Sequence, residues 1–238
     1  MPSANLKDKV ALVTGASRGI GAAVAKALAR EGAHVLLLGR TEGALEEVND
    51  TIQSAGGQAT IVPLDLKDGK GIDRLGAAIA ERWGCLDILV GNAGILGPLS
   101  PVGHIRPKDW DDLLAVNLTA NWRLLRSLDS LLKAAPAGRA VFVTSGAATK
   151  CRPFWAGYAV TKAGLECLVK TYAAETEKMP LRVNMINPGP LRTGMRAQAM
   201  PGEDPETLRT PDDIAPLFVE YCKEDISQTG QIINFADR

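Results

Sequence analysis

The chain has 238 residues, with 27 Lys or Arg balanced by 27 Asp or Glu, a length that allows one large α/β domain or two small ones. Zero net charge points away from a nucleic acid or an anionic membrane surface as partner. No apolar run approaches the roughly 20 residues of a membrane span.

Residues 10–13, Val-Ala-Leu-Val, fit a parallel strand covered on both faces. A turn of small residues follows, from Thr14 through Gly15, Ala16, Ser17, Arg18, Gly19 and Ile20 to Gly21. Residues 22–30 then form a helix whose Val24, Leu28 and alanines pack on a sheet. Residues 35–38, Val-Leu-Leu-Leu, read as the next strand, which completes a βαβ unit. Glycines let a backbone turn tightly and approach a pyrophosphate, and the following helix offers free N–H groups and a positive dipole end. The spacing Gly15, Gly19, Gly21 is not the common G-x-G-x-x-G fingerprint. Many βα turns carry glycines for packing alone, but here strand and helix stand where phosphate binding needs them.

Thr41 is placed to cap a helix whose buried face is Leu45, Val48 and Ile52, and Gly56-Gly57 stops it. Residues 59–64 are strand-like, with Pro63 near the end. Asp65 opens a turn, and Ile72, Leu75, Ile79 and Trp83 mark the next helical stripe. Residues 86–90 make a fourth strand that ends in Gly91-Asn92-Ala93-Gly94. A loop with Gly97, Pro98, Pro101 and Gly103 leads to a long helix over 107–132, and a fifth strand over 140–144 runs into Ser145. A loop over 146–154 precedes a long helix over 155–177 and a sixth strand over 181–186. Residues 187–210, rich in proline, read as a loop with short helical pieces, before a helix over 211–222 and a last strand over 231–235. The alternation predicts an α/β chain, a Rossmann-type doubly wound parallel sheet of about seven strands with helices on both faces. No linker interrupts it, so residues 1–238 are expected to form one domain.

Met1 to Lys9 contain no apolar core of a signal peptide. Cys85, Cys151, Cys167 and Cys222 are scattered with no C-x-x-C pair, which suits reduced thiols in a cytoplasmic protein. His34 and His104 are too isolated for a histidine metal site, and no metal is expected.

In a sheet of this kind ligands bind beyond the carboxyl ends of the strands, where Ser17, Arg40, Asp65, Asn92, Ser145 and Asn187 accumulate. Tyr158 and Lys162 are four apart, on one face of the long helix. An ammonium near a phenol favours the phenolate and lowers its pKa from roughly 10, which equips the tyrosine for acid–base chemistry. A half-exposed tyrosine and a surface lysine also occur at this spacing by chance.

These segments together resemble the compact single-domain branch of the short-chain dehydrogenase/reductase superfamily. The resemblance rests on Thr14-Gly15-x-x-x-Gly19-x-Gly21, Asn92-Ala93-Gly94, Ser145 thirteen residues before Tyr158, Tyr158-x-x-x-Lys162, and Pro188-Gly189 followed by Thr193. It implies that Tyr158 exchanges a proton with the substrate oxygen, that Lys162 tunes it and holds the nicotinamide ribose, and that Ser145 hydrogen-bonds the substrate carbonyl. It matches Asn117 to a helix asparagine that keeps a water on the proton path to Lys162. A mid-helix asparagine also often just faces solvent. The cofactor is implied to meet Gly15, Ser17, Arg18, Gly19, Ile20 and Gly21 at the pyrophosphate and Asp65 and Leu66 at the adenine. Asn92, Ala93 and Gly94 border its adenosine and ribose side, and Pro188, Gly189, Leu191 and Thr193 its nicotinamide.

An NAD site usually has a carboxylate about twenty residues after the glycine turn. Here that place holds Gly39-Arg40, and Arg18 sits in the turn itself. Two guanidinium groups suit a 2′-phosphate, so NADP(H) is expected over NAD(H), and with it reduction of a small-molecule carbonyl to the alcohol. The resemblance also implies a homodimer or homotetramer through the two long helices, with Leu165, Leu168 and Tyr172 extending that face, and a substrate lid over 190–210. Gly91 replaces the family's usual first asparagine, and the chain ends without the usual glycine pair. Met195, Met200, Phe154, Trp155, Ile95 and Leu96 could line an apolar pocket or be plain core. A catalytically silent dinucleotide-binding regulator and a purely structural subunit are the competing readings. Ser145, Tyr158 and Lys162 together argue against the first, and the polar strand ends against the second.

Overall fold

The computed structural model describes residues 6–238. Residues 1–5, which hold more than half of the segment read for a targeting signal, lie outside the described residues. All seven strands join one parallel sheet in the order β3-β2-β1-β4-β5-β6-β7. They are β1 (Val10–Thr14), β2 (His34–Gly39), β3 (Gln58–Pro63), β4 (Ile88–Gly91), β5 (Arg139–Val143), β6 (Arg182–Asn187) and β7 (Ile232–Asn234). The helices are α1 (Gly19–Arg30), α2 (Glu42–Ser54), α3 (Gly69–Trp83), α4 (Pro107–Leu114), α5 (Ala120–Ala134), α6 (Ala147–Lys150), α7 (Ala156–Glu175), α8 (Gly194–Ala199) and α9 (Pro211–Tyr221).

Alternate residues of each inner strand enter opposite cores, which is why these strands read as unbroken apolar runs. Val13, Val35 and Leu37 pack under α1, α2 and α9, while Leu12, Leu36 and Leu89 pack under α3, α5 and α7. β3 stands at the sheet edge and is only half-buried, and an edge tolerates Pro63 inside the strand.

The two ends of the sheet differ. At the amino ends of the strands, Asp87 accepts from Val10 N at 2.9 Å and pairs with Lys9. The buried Arg139 guanidinium there donates to five main-chain carbonyls, those of Gly138, Pro180, Lys223, Glu224 and Ile226. That end is closed by its own polar groups, and the loops at the carboxyl ends hold the remaining chemistry.

The helix expected over 107–132 runs without a break over 107–134 and carries one irregularity. A π-helical turn, Ala115–Thr119, separates α4 from α5, and such turns often mark functional positions. Asn117 sits at its centre. A second correction concerns α7: Leu165 is in the core, and Tyr172 is buried with its hydroxyl donating to Asp129 at 2.8 Å. Neither extends an outward face. Leu168 is half-buried against the core, and the large exposed apolar residues of these two helices are Trp122 and Val160.

Candidate active site

The chain reverses its winding between β1 and β4, and the site is built around that switch point. Thr14, the last residue of β1, accepts from Asn92 N and Ala93 N at 3.0 Å and donates to Val90 O at 3.2 Å. The Asn92 amide reaches back to Thr14 O at 2.8 Å and Gly15 O at 3.3 Å. The glycine turn is thereby tied to the end of β4. Gly15 and Gly19 have φ of +65° and +57°, which residues with a side chain adopt at a cost. A Cβ on Gly21 would lie 2.2 Å from Gly15 O and 2.5 Å from Asn92 Nδ2, so only glycine lets α1 start this close to the turn.

α1 begins at Gly19, three residues ahead of the sequence expectation, and no side chain caps it. Its first N–H groups are free for an anion. Ser17 and Ile20 are half-buried beside it, and Arg18 is exposed. Arg40 is exposed just beyond β2. Leu45 packs within 3.1 Å of where a Gly39 side chain would begin, so a side chain there would press on the buried Leu45. Asp65 lies past β3, with its Oδ1 accepting from Lys67 N at 2.9 Å, and Leu66 is buried.

At the other side of the switch point, α7 brings Tyr158 and Lys162 against the end of β5. Lys162 is 2 % exposed, and its Nζ donates to Val143 O at 2.8 Å. It lies 5.7 Å from the centroid of the Tyr158 ring. The Ser145 hydroxyl stands beside the Tyr158 phenol and favours its ionised form. Burial pushes the Tyr158 phenol up to about 12, with the Ser145 hydroxyl opposing it. Burial pushes the Lys162 ammonium down to about 8, with the Glu166 carboxylate opposing it. The phenol is therefore shifted opposite to the sequence expectation, because desolvation outweighs its polar contacts.

Asn117 is fully buried rather than solvent-facing. Its Nδ2 donates to Ile95 O at 2.9 Å and Thr161 Oγ1 at 3.1 Å, and its Oδ1 accepts from Ile95 N at 2.8 Å. Both amide hydrogens are thus committed to joining the loop after β4 to α7. Asn121 Nδ2 donates to the Asn117 carbonyl at 2.8 Å. A Cβ on Gly94 would lie 3.3 Å from Asn117 Oδ1 and 3.8 Å from Lys162 Nζ, so Asn92-Ala93-Gly94 runs from the glycine turn to the lysine.

Past β6, Asn187 Oδ1 accepts from Gly146 N at 3.2 Å and Gly189 N at 3.3 Å, joining the loop after Ser145 to Pro188-Gly189. Leu191 is buried, and Thr193 caps α8 by accepting from Arg196 N. The Thr193 methyl is 3.7 Å from where a Gly19 side chain would begin, which closes the ring of site residues. The segment expected as a lid is stapled by Arg196 to Glu203, through two bonds of 2.5 Å, and by Arg192 to Glu206 at 3.1 Å. Of the apolar candidates, Leu96 is buried, Phe154 is exposed, and Trp155 stands edge-on to Tyr158 at 6.1 Å. Ile95, Met195 and Met200 are half-buried.

The structure thus gathers the site residues read from the sequence along the carboxyl edge of the sheet. Sequence reasoning passed over Asn121, Thr144 and Glu166. Of these, Glu166 carried a legible signal, its four-residue spacing from Lys162.

A doubly wound sheet with a glycine turn at its switch point and a Ser–Tyr–Lys cluster opposite defines a dinucleotide-dependent oxidoreductase. The family described as short chain dehydrogenase matches residues 9–204. The chain is 40% identical over 223 residues to the Escherichia coli oxidoreductase YciK, covering 92% of this chain and 88% of that protein. It is 33% identical over 196 residues to 2,3-dihydro-2,3-dihydroxybenzoate dehydrogenase of Bacillus subtilis, covering 82% and 75%. Among solved structures, a Pseudomonas syringae short chain dehydrogenase superposes with a TM-score of 0.94 at 42% identity, covering 98% and 96%. An Escherichia coli short chain dehydrogenase complexed with NADPH gives 0.93 at 39%, covering 98% and 99%. The chain belongs to the short-chain dehydrogenase/reductase family of oxidoreductases.

Gly21→Ala tests the closed turn. The added methyl has no room against the backbone of Gly15, so the unfolding free energy in a denaturant titration is expected to fall by about 1–3 kcal/mol. Unchanged stability would show that the turn is not closed on itself.

Proposed function

We propose that this protein is an NADP(H)-dependent reductase of small carbonyl compounds, with Tyr158 as the proton donor. The observation that carries the reading is the convergence of Ser145, Tyr158 and Lys162 at the end of β5, next to a glycine turn open to a phosphate. Ser145 fixes the carbonyl oxygen of the substrate beside the phenol. Tyr158 gives its hydroxyl proton to that oxygen as negative charge develops there. A phenol held at about 12 is fully protonated at neutral pH, the state a donor needs. Lys162 stabilises the phenolate left behind, and with Asn117 orients the path by which the proton is replaced. When bound, the nicotinamide supplies the hydride to the carbonyl carbon.

Arg18 and Arg40 support NADP(H). Both are exposed along the carboxyl edge of the sheet, with Gly39-Arg40 where an NAD-selecting acid would stand, and the Escherichia coli neighbour was solved with NADPH. Asp65 and Leu66 take the adenine in this reading, and Pro188, Gly189, Leu191 and Thr193 the nicotinamide. The chain works as one domain in the cytoplasm. No helix of the described residues is long and apolar enough to cross a membrane. Trp122 and Val160, 46% and 45% exposed on α5 and α7, support a homodimer or homotetramer through these helices.

Fluorescence titration is expected to show tighter binding of NADPH than NADH, with the preference reduced in Arg40→Ala. Equal affinities in the unaltered chain would overturn the assignment. In a carbonyl panel, Tyr158→Phe should keep cofactor affinity while turnover drops by about 10²-fold or more. Retention of more than about a tenth of the rate is incompatible with the proton-donor role. Binding without turnover on any carbonyl would favour a regulatory dinucleotide binder. Sedimentation at micromolar concentration should give at least a dimer, and a monomer would remove the proposed helix interface.

A further inference from the structure

The end of β5 holds α7 at three successive points. Ser145 meets Tyr158, Val143 O takes Lys162 Nζ at 2.8 Å, and Thr144 Oγ1 donates to Glu166 Oε1 at 2.6 Å. Tyr158, Lys162 and Glu166 are spaced by four along the helix, so all three lie on one face. Thr144 is 1% exposed and Glu166 9%. A carboxylate this buried is costly unless it is paired and hydrogen-bonded, and the proton-donor reading gives it no task.

Lys162 has the complementary need. A carbonyl dipole alone is a weak partner for an enclosed ammonium. The charged groups on neighbouring elements are engaged elsewhere or exposed. On α4, Asp109 pairs with Arg106, Asp112 pairs with Lys67 and Lys108, and Asp111 is exposed. On β6, Arg182 donates to the carbonyls of Met179 and Leu181. Lys150 on α6 and Lys170 on α7 are exposed. The π-helical turn and the end of β5 face Lys162 with Asn117, Thr144 and Ser145, none of them a carboxylate.

We propose that Glu166 is the fixed counter-charge of Lys162 and that the Thr144 hydroxyl holds it in place, making both positioning residues for the Tyr158–Lys162 pair. The inference rests on the reading of Lys162 given above. Burial lowers the Lys162 pKa to about 8 and Glu166 opposes that shift, so the carboxylate favours the charged lysine. Without it, the ammonium loses its proton at lower pH. The Thr144 contact also fixes the residue that precedes Ser145, so one hydrogen bond couples the charge on α7 to the strand end that presents the substrate-binding hydroxyl.

The test reads Lys162 directly. In protein enriched with ¹³C at lysine Cε, the Lys162 resonance is assigned by its loss in Lys162→Met and titrated with pH. Glu166→Gln keeps an acceptor for Thr144 and removes the charge, and its Lys162 midpoint is expected about one unit or more below that of the unaltered chain. Glu166→Asp keeps the charge and should hold the midpoint above that of the Gln variant. If Glu166→Gln does not fold, the pair Thr144→Val with Glu166→Met replaces both partners by apolar groups of similar shape and carries the same expectation. An unchanged midpoint on removal of the carboxylate overturns the proposal, as does an Asp variant no higher than Gln. Tyr158→Phe leaves Lys162 and Glu166 both unaltered, so a failed proton-donor test and a failed counter-charge test are separate results.

Discussion

The hydroxyl of Thr14 is the contact on which the arrangement of the site depends. It accepts two main-chain N–H groups from the end of β4 and donates to a third residue there. β1 and β4 are neighbours in the sheet but distant in the chain, and on either side of them the helices leave in opposite senses. A sheet alone would leave the polar groups at this switch point to water. Thr14 and the Asn92 amide satisfy them internally, and so hold the glycine turn against the segment that continues to Gly94, Ile95 and Asn117. The glycine turn and the buried Asn117 are therefore joined through one short segment after β4.

That frame explains which residues must be small. Gly21 has no room for a side chain because Asn92 and Gly15 occupy it. Gly91 is small for a different reason: a Cβ there would meet the Phe142 ring at 2.2 Å and Asn121 Oδ1 at 3.0 Å. The departure from the family's usual asparagine at this position is accompanied by another buried amide, Asn121, standing beside it and bonded to the Asn117 carbonyl.

Much of the fold was legible because burial on both faces leaves a plain trace. Residues 10–13 and 35–38 are unbroken apolar runs, and α2 and α3 show their stripes at Leu45, Val48 and Ile52 and at Ile72, Leu75 and Ile79. Strand-end polarity and helical spacing brought Ser145, Tyr158 and Lys162 into view before any coordinates. The π-helical turn was not legible, because it rests on Asn117 bonding to Ile95 and Thr161, residues remote in sequence and close only after folding. Leu165 and Tyr172 were misplaced for a related reason. α7 is apolar on its outer face too, at Val160 and Ala163, so periodicity did not distinguish the side facing the core from the side facing outward.

Burial sets opposing demands on the two ionisable groups of the site. Desolvation disfavours whichever form is charged, so the same enclosure pushes Tyr158 up to about 12 and Lys162 down to about 8. The first shift keeps the phenol protonated at neutral pH. The second weakens the hold of Lys162 on its own proton. Opening the site to water would relieve the lysine but would also weaken every electrostatic contact made there. A neighbouring carboxylate favours the ammonium without admitting water. Its position matters, because a negative charge beside the phenol would oppose the phenolate. Glu166 lies one turn beyond Lys162, on the side away from Tyr158, and Thr144 ties it to the strand, so the helix places its three groups in the order phenol, ammonium and carboxylate.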